Sequence, residues 1–197
     1  VSLESAQGIL QRGFQGERNR EGFFNYIRSL TSVMNAHHLT EDDIAFPYFR
    51  DMLPEAPFDD WTYWHGKMTE DLDEINLAVE KCEKKDEFET ELRDIENTLT
   101  RLNEGWPYHI QPETDEFINK ADPLVPVEEQ LRLVRLFADY VLKHAEPLYL
   151  TVPFMLYNLS VEDRQVFSQW IHAEGILNFV PVVWKEKWAS MAPYLLT

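Results

Sequence analysis

The chain has 197 residues, 44% of them hydrophobic and 13% aromatic, which suits one globular domain with a real core and is too apolar for a disordered segment. Its 35 acidic residues against 18 basic ones leave a formal charge of −17, which argues against a nucleic-acid backbone or an anionic membrane surface as partner. The single cysteine, Cys82, allows no internal disulfide and no thiolate metal cluster.

Val1-Ser2-Leu3-Glu4 lacks the basic region and apolar core of a signal peptide. No apolar run approaches the roughly 20 residues that cross a bilayer, so a cytoplasmic protein is expected. Residues 3–14 carry Leu3, Ala6, Ile9, Leu10 and Phe14 at the spacing of a short amphipathic helix, and Gly16 to Arg20 reads as a turn. From Glu21 to His38 the apolar positions Phe24, Ile27, Leu30, Val33 and Met34 predict a helix. It runs into His37-His38-Leu39-Thr40-Glu41 with no glycine or proline to stop it. If helical, His37 and Glu41 project from one face, one turn apart, where an imidazole and a carboxylate can hold one ion. Thr40-x-x-Asp43 alternatively resembles a capping box that would start a new helix there.

Pro47 predicts a kink or an end near Phe46. A loop through Pro54 and Pro57 follows, with Asp59 or Asp60 as N-cap of a helix that carries His65, Met68, Leu72, Ile75, Val79 and Cys82 inward. Cys82 then reads as a buried, inert thiol. The stripe breaks at Lys84-Lys85-Asp86, as a tight turn or a stutter. It resumes over Phe88, Leu92, Ile95, Leu99 and Leu102, with Asp86-x-x-Glu89 resembling a capping box. Gly105, Pro107, Pro112, Pro123 and Pro126 bracket an expected loop that contains His109 and Glu113-Thr114-Asp115-Glu116. Val127 to His144 is a strong helix ending on an inward His144. Leu148 to Leu156 is apolar and proline-punctuated, Ser160-x-x-Asp163 starts a further helix, and Trp184 and Trp188 pack on the bundle.

Three inward histidines on three helices, His37, His65 and His144, together with Glu41, form a candidate cation site, since buried imidazoles need partners. His38, about 100° around the helix from His37, is expected to be a neighbour and not a ligand. No Glu-x-x-His precedes any of the six histidines, which argues against a ferritin-type carboxylate di-iron bundle. His-Glu-x-x-His, phosphate-loop, Gly-x-Ser-x-Gly and Rossmann patterns are absent from the sequence.

The run His37-His38-Leu39-Thr40-Glu41-Asp42-Asp43-Ile44-Ala45-Phe46-Pro47 resembles the second-helix motif of the hemerythrin-like, or HHE cation-binding, family, H-H-x-x-E-[DE]-x-x-x-F-P. His65 is similar to that family's third-helix histidine. His144, followed by Val152-Pro153-Phe154-Met155-Leu156 and Leu159-Ser160-Val161-Glu162, looks similar to its fourth-helix region. The resemblance implies an all-α, up-and-down four-helix bundle whose core holds one or two non-haem iron ions, with dioxygen or peroxide as small partners.

On that basis residues 1–197 form one hemerythrin-like domain, a bundle core of about 3–158 with accessory C-terminal helices at about 160–197. The expected ligands are His37, Glu41, His65 and His144, with Gln7, Glu146 and His109 as weaker candidates. Four residues after His144 stands Leu148, where the family motif H-x-x-x-E has glutamate, so the ligand set is divergent or incomplete. The implied function is cation binding in oxygen, redox or iron sensing or handling. An enzyme, if there is one, would be a non-haem iron oxidase or peroxide-decomposing activity. The alternative is a metal-free helical scaffold or interaction protein that has lost the site.

Overall fold

The computed structural model describes Ala6, Gly8 and residues 17–85, 87–170 and 175–195. Among the described residues the protein is all-helical, with no strand. Helix α1 (Glu17–Thr40) begins where a turn was expected. It continues without a cap through a five-residue π turn, Glu41–Ala45, into a last turn at Phe46–Phe49. Thr40 donates to the Ala36 carbonyl 2.7 Å away, the bond of a mid-helix threonine and not of a cap. The π turn includes Asp43, the residue four before Pro47 whose carbonyl a proline ring crowds in a regular helix. The chain therefore passes through the expected stop at Phe46 and ends one turn later.

Helix α2 (Phe58–Glu83) is started by the Pro57 carbonyl, which accepts from Asp60 and Trp61 N–H. Asp59 and Asp60, expected as caps, instead occupy the first turn, where their charge complements the helix dipole. Helix α3 runs from Glu89 to Glu113, after a break at Lys84. Phe88 holds the N-cap position of α3, and Asp86 of the expected capping box lies outside the described residues.

The expected loop from Gly105 is corrected here. Pro107 and Pro112 lie inside α3, which passes into a second π turn at Thr114–Ile118. Burial overrides local propensity: Leu102, His109 and Glu113 are 2%, 5% and 1% exposed, all on the face turned to the bundle. Beyond it come α4 (Val127–His144), α5 (Leu148–Tyr157), α6 (Val161–Trp170) and α7 (Ile176–Val183). Ser160 caps α6 as expected, accepting from Asp163 N–H at 3.1 Å.

The main core joins Phe23, Phe24 and Ile27 of α1 to Leu72, Val79 and Cys82 of α2 and to Ile95 and Leu99 of α3. Each such side chain contributes roughly 1.5–3 kcal/mol of burial. Cys82 is fully buried, and burial pushes its thiol up to about 11, the inert state expected of it. A second cluster of Phe46, Phe49, Phe58, Trp61 and Phe117 forms an aromatic floor where α1, α2 and α3 end or begin. A third cluster packs Val152 and Leu156 of α5 on Val180 of α7, with Trp184 and Trp188 against it. No helix among the described residues is long and apolar enough to cross a membrane.

Candidate metal centre

Just above the aromatic floor, α1, α2 and α3 bring four imidazoles and three carboxylates together. Helix α1 and its π turn supply His37, His38, Glu41 and Asp42; α2 supplies His65; α3 supplies His109 and Glu113. The two i,i+4 pairs, His37 with Glu41 and His109 with Glu113, share one design. Each histidine lies in the last turn or so of its helix, and each glutamate stands at the entry of a π turn. Phe46 follows the first π turn and Phe117 lies within the second, and their rings meet edge to face at 5.8 Å in the floor. Single π turns inside helices recur at functional sites.

His65 is the centre of the cluster. Its ring lies between His38, 4.4 Å away and 14° from parallel, and Phe46, 5.5 Å away and 15° from parallel. Nδ1 is 2.9 Å from Asp42 Oδ1, which also accepts from the Thr62 hydroxyl at 2.6 Å. Nε2 is 3.2 Å from Glu113 Oε1 and 3.5 Å from Glu41 Oε2. Asp42 thus fixes the ring and leaves Nε2 facing the two glutamates. Glu41 Oε2 is also 3.2 Å from His37 Nε2, and Glu113 Oε1 is 3.4 Å from His109 Nδ1, but neither approach has the alignment of a hydrogen bond. Trp106 closes one side, 5.5 Å from the His109 ring.

Electrostatics follow from this crowding. Burial drives His37 down to about 4, helped by the neighbouring His65 charge, and drives His38 down to about 2. Burial also takes His109 down to about 4, outweighing the attraction of Glu113. Glu41 is pushed up to about 8 by burial and by the Glu113 carboxylate beside it. Burial opposes charge on His65, yet the hydrogen bonds to Asp42 and Glu113 prevail and raise it to about 9. One imidazolium is therefore the internal cation of three clustered carboxyl groups, of which Glu41 keeps its proton at neutral pH.

That single cation leaves half of the cluster's side-chain polar atoms unserved. Buried nitrogen and oxygen atoms without a hydrogen-bond partner are His37 Nε2, both nitrogens of His38 and of His109, Glu41 Oε2 and Glu113 Oε2; outside the cluster the described residues add Asn158 Oδ1. An unpaired buried polar group costs about 1–3 kcal/mol, so this concentration in one place points to a missing partner. Ligand atoms of His38, His65 and His109 lie within 4.8 Å of one another, as do those of His37, Glu41, His109 and Glu113. Imidazole nitrogens with carboxylate oxygens are the donor set of first-row transition metals such as iron, zinc or copper.

Of the residues expected at the site, the structure brings His37, Glu41, His65 and the weaker candidate His109 together. His144 is corrected: it is exposed, stacked on Tyr140 at 4.2 Å, and not in the cluster. Its phase on α4 is that of an inward face, but α4 packs on α1 loosely, with Leu133 its one buried residue, and His144 lies at the exposed end of the helix. Glu146 is exposed as well, and its carbonyl accepts from Ser32. Gln7 lies outside the described residues. His38, expected as a bystander, faces inward and is 1% exposed. Glu113 and Asp42 were not among the expected ligands. The His109-x-x-x-Glu113 spacing repeats that of His37 and Glu41 and could have revealed the pair, had the flanking prolines not been read as a loop. No known protein family, characterised protein or solved structure matches the chain.

Proposed function

We propose that this chain is a cation-binding helical protein of the hemerythrin-like kind, with non-haem iron, mono- or dinuclear, as its ion. The observation that carries this reading is the set of buried, unpartnered imidazole and carboxylate atoms on α1, α2 and α3. The fourth-helix H-x-x-x-E that the resemblance implies is met at His109 and Glu113, so α3 takes the place first given to α4. The up-and-down bundle would then include α1, α2 and α3, with Ala6 fully buried against their core.

His37, Glu41, His109 and Glu113 would hold one ion, and His65, with His38 and His109 beside it, a second position or an edge of the first. Asp42 keeps the His65 ring in place, and the aromatic floor with Trp106 excludes water from the nearer side. Bound there, iron would supply binding or redox chemistry of dioxygen or peroxide. The metal-free scaffold is favoured by one feature: both nitrogens of His65 already have carboxylate partners. Metal analysis of protein purified without chelator decides between them. Stoichiometric iron, and a rise in melting temperature on adding Fe(II), support the proposal. Absence of both leaves the scaffold.

A further inference from the structure

A cavity of about 520 Å³ adjoins the cluster at His37 and Glu41, between α1, the second π turn and α4. Its volume is that of a small-molecule pocket. Its wall is almost wholly apolar, with Val33, Phe49, Phe117, Val134, Phe137 and Val141 among the lining side chains. The polar groups on it sit at two ends. At one end Gln130 is already engaged, its amide donating to the Asp122 and Val125 carbonyls at 3.0 and 2.9 Å, and Asp122, also on the lining, is exposed to solvent. At the other end Thr40 is spent on Ala36, but His37 Nε2 and Glu41 Oε2, 3.2 Å apart, have no hydrogen-bond partner. Glu41 itself is only 9% exposed. The cavity is thus a greasy slot with one unserved polar end.

That asymmetry specifies a ligand with a hydrocarbon body and one small polar head. The head should not be anionic: Glu113 and Asp42 stand beside Glu41, and the chain carries a net charge of −17. An imidazole edge and a carboxyl oxygen so close together match a group that both donates and accepts, which a hydroxyl does and an ether or carbonyl does not. We propose that this cavity binds a neutral, straight-chain primary alcohol, its hydroxyl at His37 and Glu41 and its tail along the apolar wall toward α4. The proposal goes beyond cation binding and concerns the ion-free protein, because an ion held by His37 and Glu41 would occupy the same two atoms.

Titration calorimetry on the full chain after chelation tests it, with the metal content of the same preparation measured before chelation. From 1-butanol through 1-hexanol to 1-octanol, each added methylene should tighten binding roughly three- to fourfold. At equal chain length, 1-methoxyheptane and octanoate should bind about tenfold more weakly than 1-octanol. Val134→Trp, at a half-buried wall position, should weaken octanol at least tenfold while helix content and metal content stay unchanged. Val141→Phe, a smaller intrusion from the same helix, does the same should the tryptophan variant fail to fold. Equal affinity for alcohol, ether and carboxylate, or no dependence on chain length, overturns the proposal. Octanol binding by protein that neither contains iron as purified nor gains melting temperature on adding Fe(II) would refute the cation reading alone; stoichiometric iron as purified, with no chain-length dependence after chelation, would refute this one alone.

Discussion

His38 and His65 stack ring on ring, with centroids 4.4 Å apart and planes 14° from parallel, although they come from different helices. Both are 1% exposed. His65 has a carboxylate at each nitrogen, and His38 has no partner at either. Two such rings cannot both be charged, and burial with the His65 charge beside it keeps His38 neutral and free to donate a lone pair.

His38 should therefore matter to ion binding, contrary to its apparent phase on the helix. His38→Ala should weaken metal affinity at least tenfold in an equilibrium titration. His144→Ala should leave it unchanged, because that ring is exposed on Tyr140. Retention of full affinity by His38→Ala would return it to the role of a packing residue.

The two glutamates should be separable from their amides by the response to an ion. Glutamine keeps the volume of Glu41 and Glu113 and removes the carboxylate oxygen an ion would take. Metal at a hundredfold excess over Kd should stabilise the wild type by about 2.7 kcal/mol. Glu41→Gln and Glu113→Gln should each lose most of that gain while the metal-free fold is retained. A full metal-dependent shift in either variant would remove that glutamate from the site.

Gly22 faces the Ser190 carbonyl so closely that a Cβ would lie 1.9 Å from its oxygen. The obstacle is backbone and cannot rotate away, so α1 and the C-terminal segment must part to admit a methyl group. Gly22→Ala should cost about 1–3 kcal/mol in denaturant unfolding, despite the better helix propensity of alanine. Gly66, with open space around its Cβ position, is the control, and Gly66→Ala should be neutral or stabilising.

The helices over Glu21–His38, Trp61–Cys82 and Val127–His144 were legible because their apolar stripes are strong and unbroken, and the pairing of His37 with Glu41 was legible with them. Two things were hidden. Proline is a local signal, and tertiary packing overrode it at Pro107 and Pro112, so α3 carries His109 and Glu113 into the site through what reads as a loop. Helical phase names a face but not what covers it. His144 shares the phase of α4's apolar residues, yet a cavity lies beneath that helix. The π turns, which set where Glu41 and Glu113 point, have no sequence signature to read.

The same cluster makes the stability of the metal-free protein depend on pH in a definite direction. In the unfolded chain its imidazoles titrate near 6.5 and Glu41 near 4.5. Folding lowers His37 and His109 to about 4, and His38 further, so between pH 4 and 6.5 the folded form binds fewer protons there and gains stability as pH rises. Glu41, raised to about 8, works in the opposite sense above pH 4.5, but three imidazoles outweigh one carboxyl until they are neutral in both states. Above 6.5 only the raised groups remain. His65 and Glu41 keep protons that the unfolded chain has shed, and stability falls as pH climbs through 8 and 9. Metal-free stability, and the melting temperature with it, should therefore peak near pH 6.5, with a net difference of two protons and slopes of at most about 2.7 kcal/mol per pH unit on either side. An ion must displace protons from His65 and Glu41, so the stabilisation it confers should grow with pH and be accompanied by proton release. Melting curves of chelated and metal-loaded protein between pH 5 and 9 check both statements. A flat metal-free profile, or a metal effect that shrinks as pH rises, would show that these side chains do not share one site.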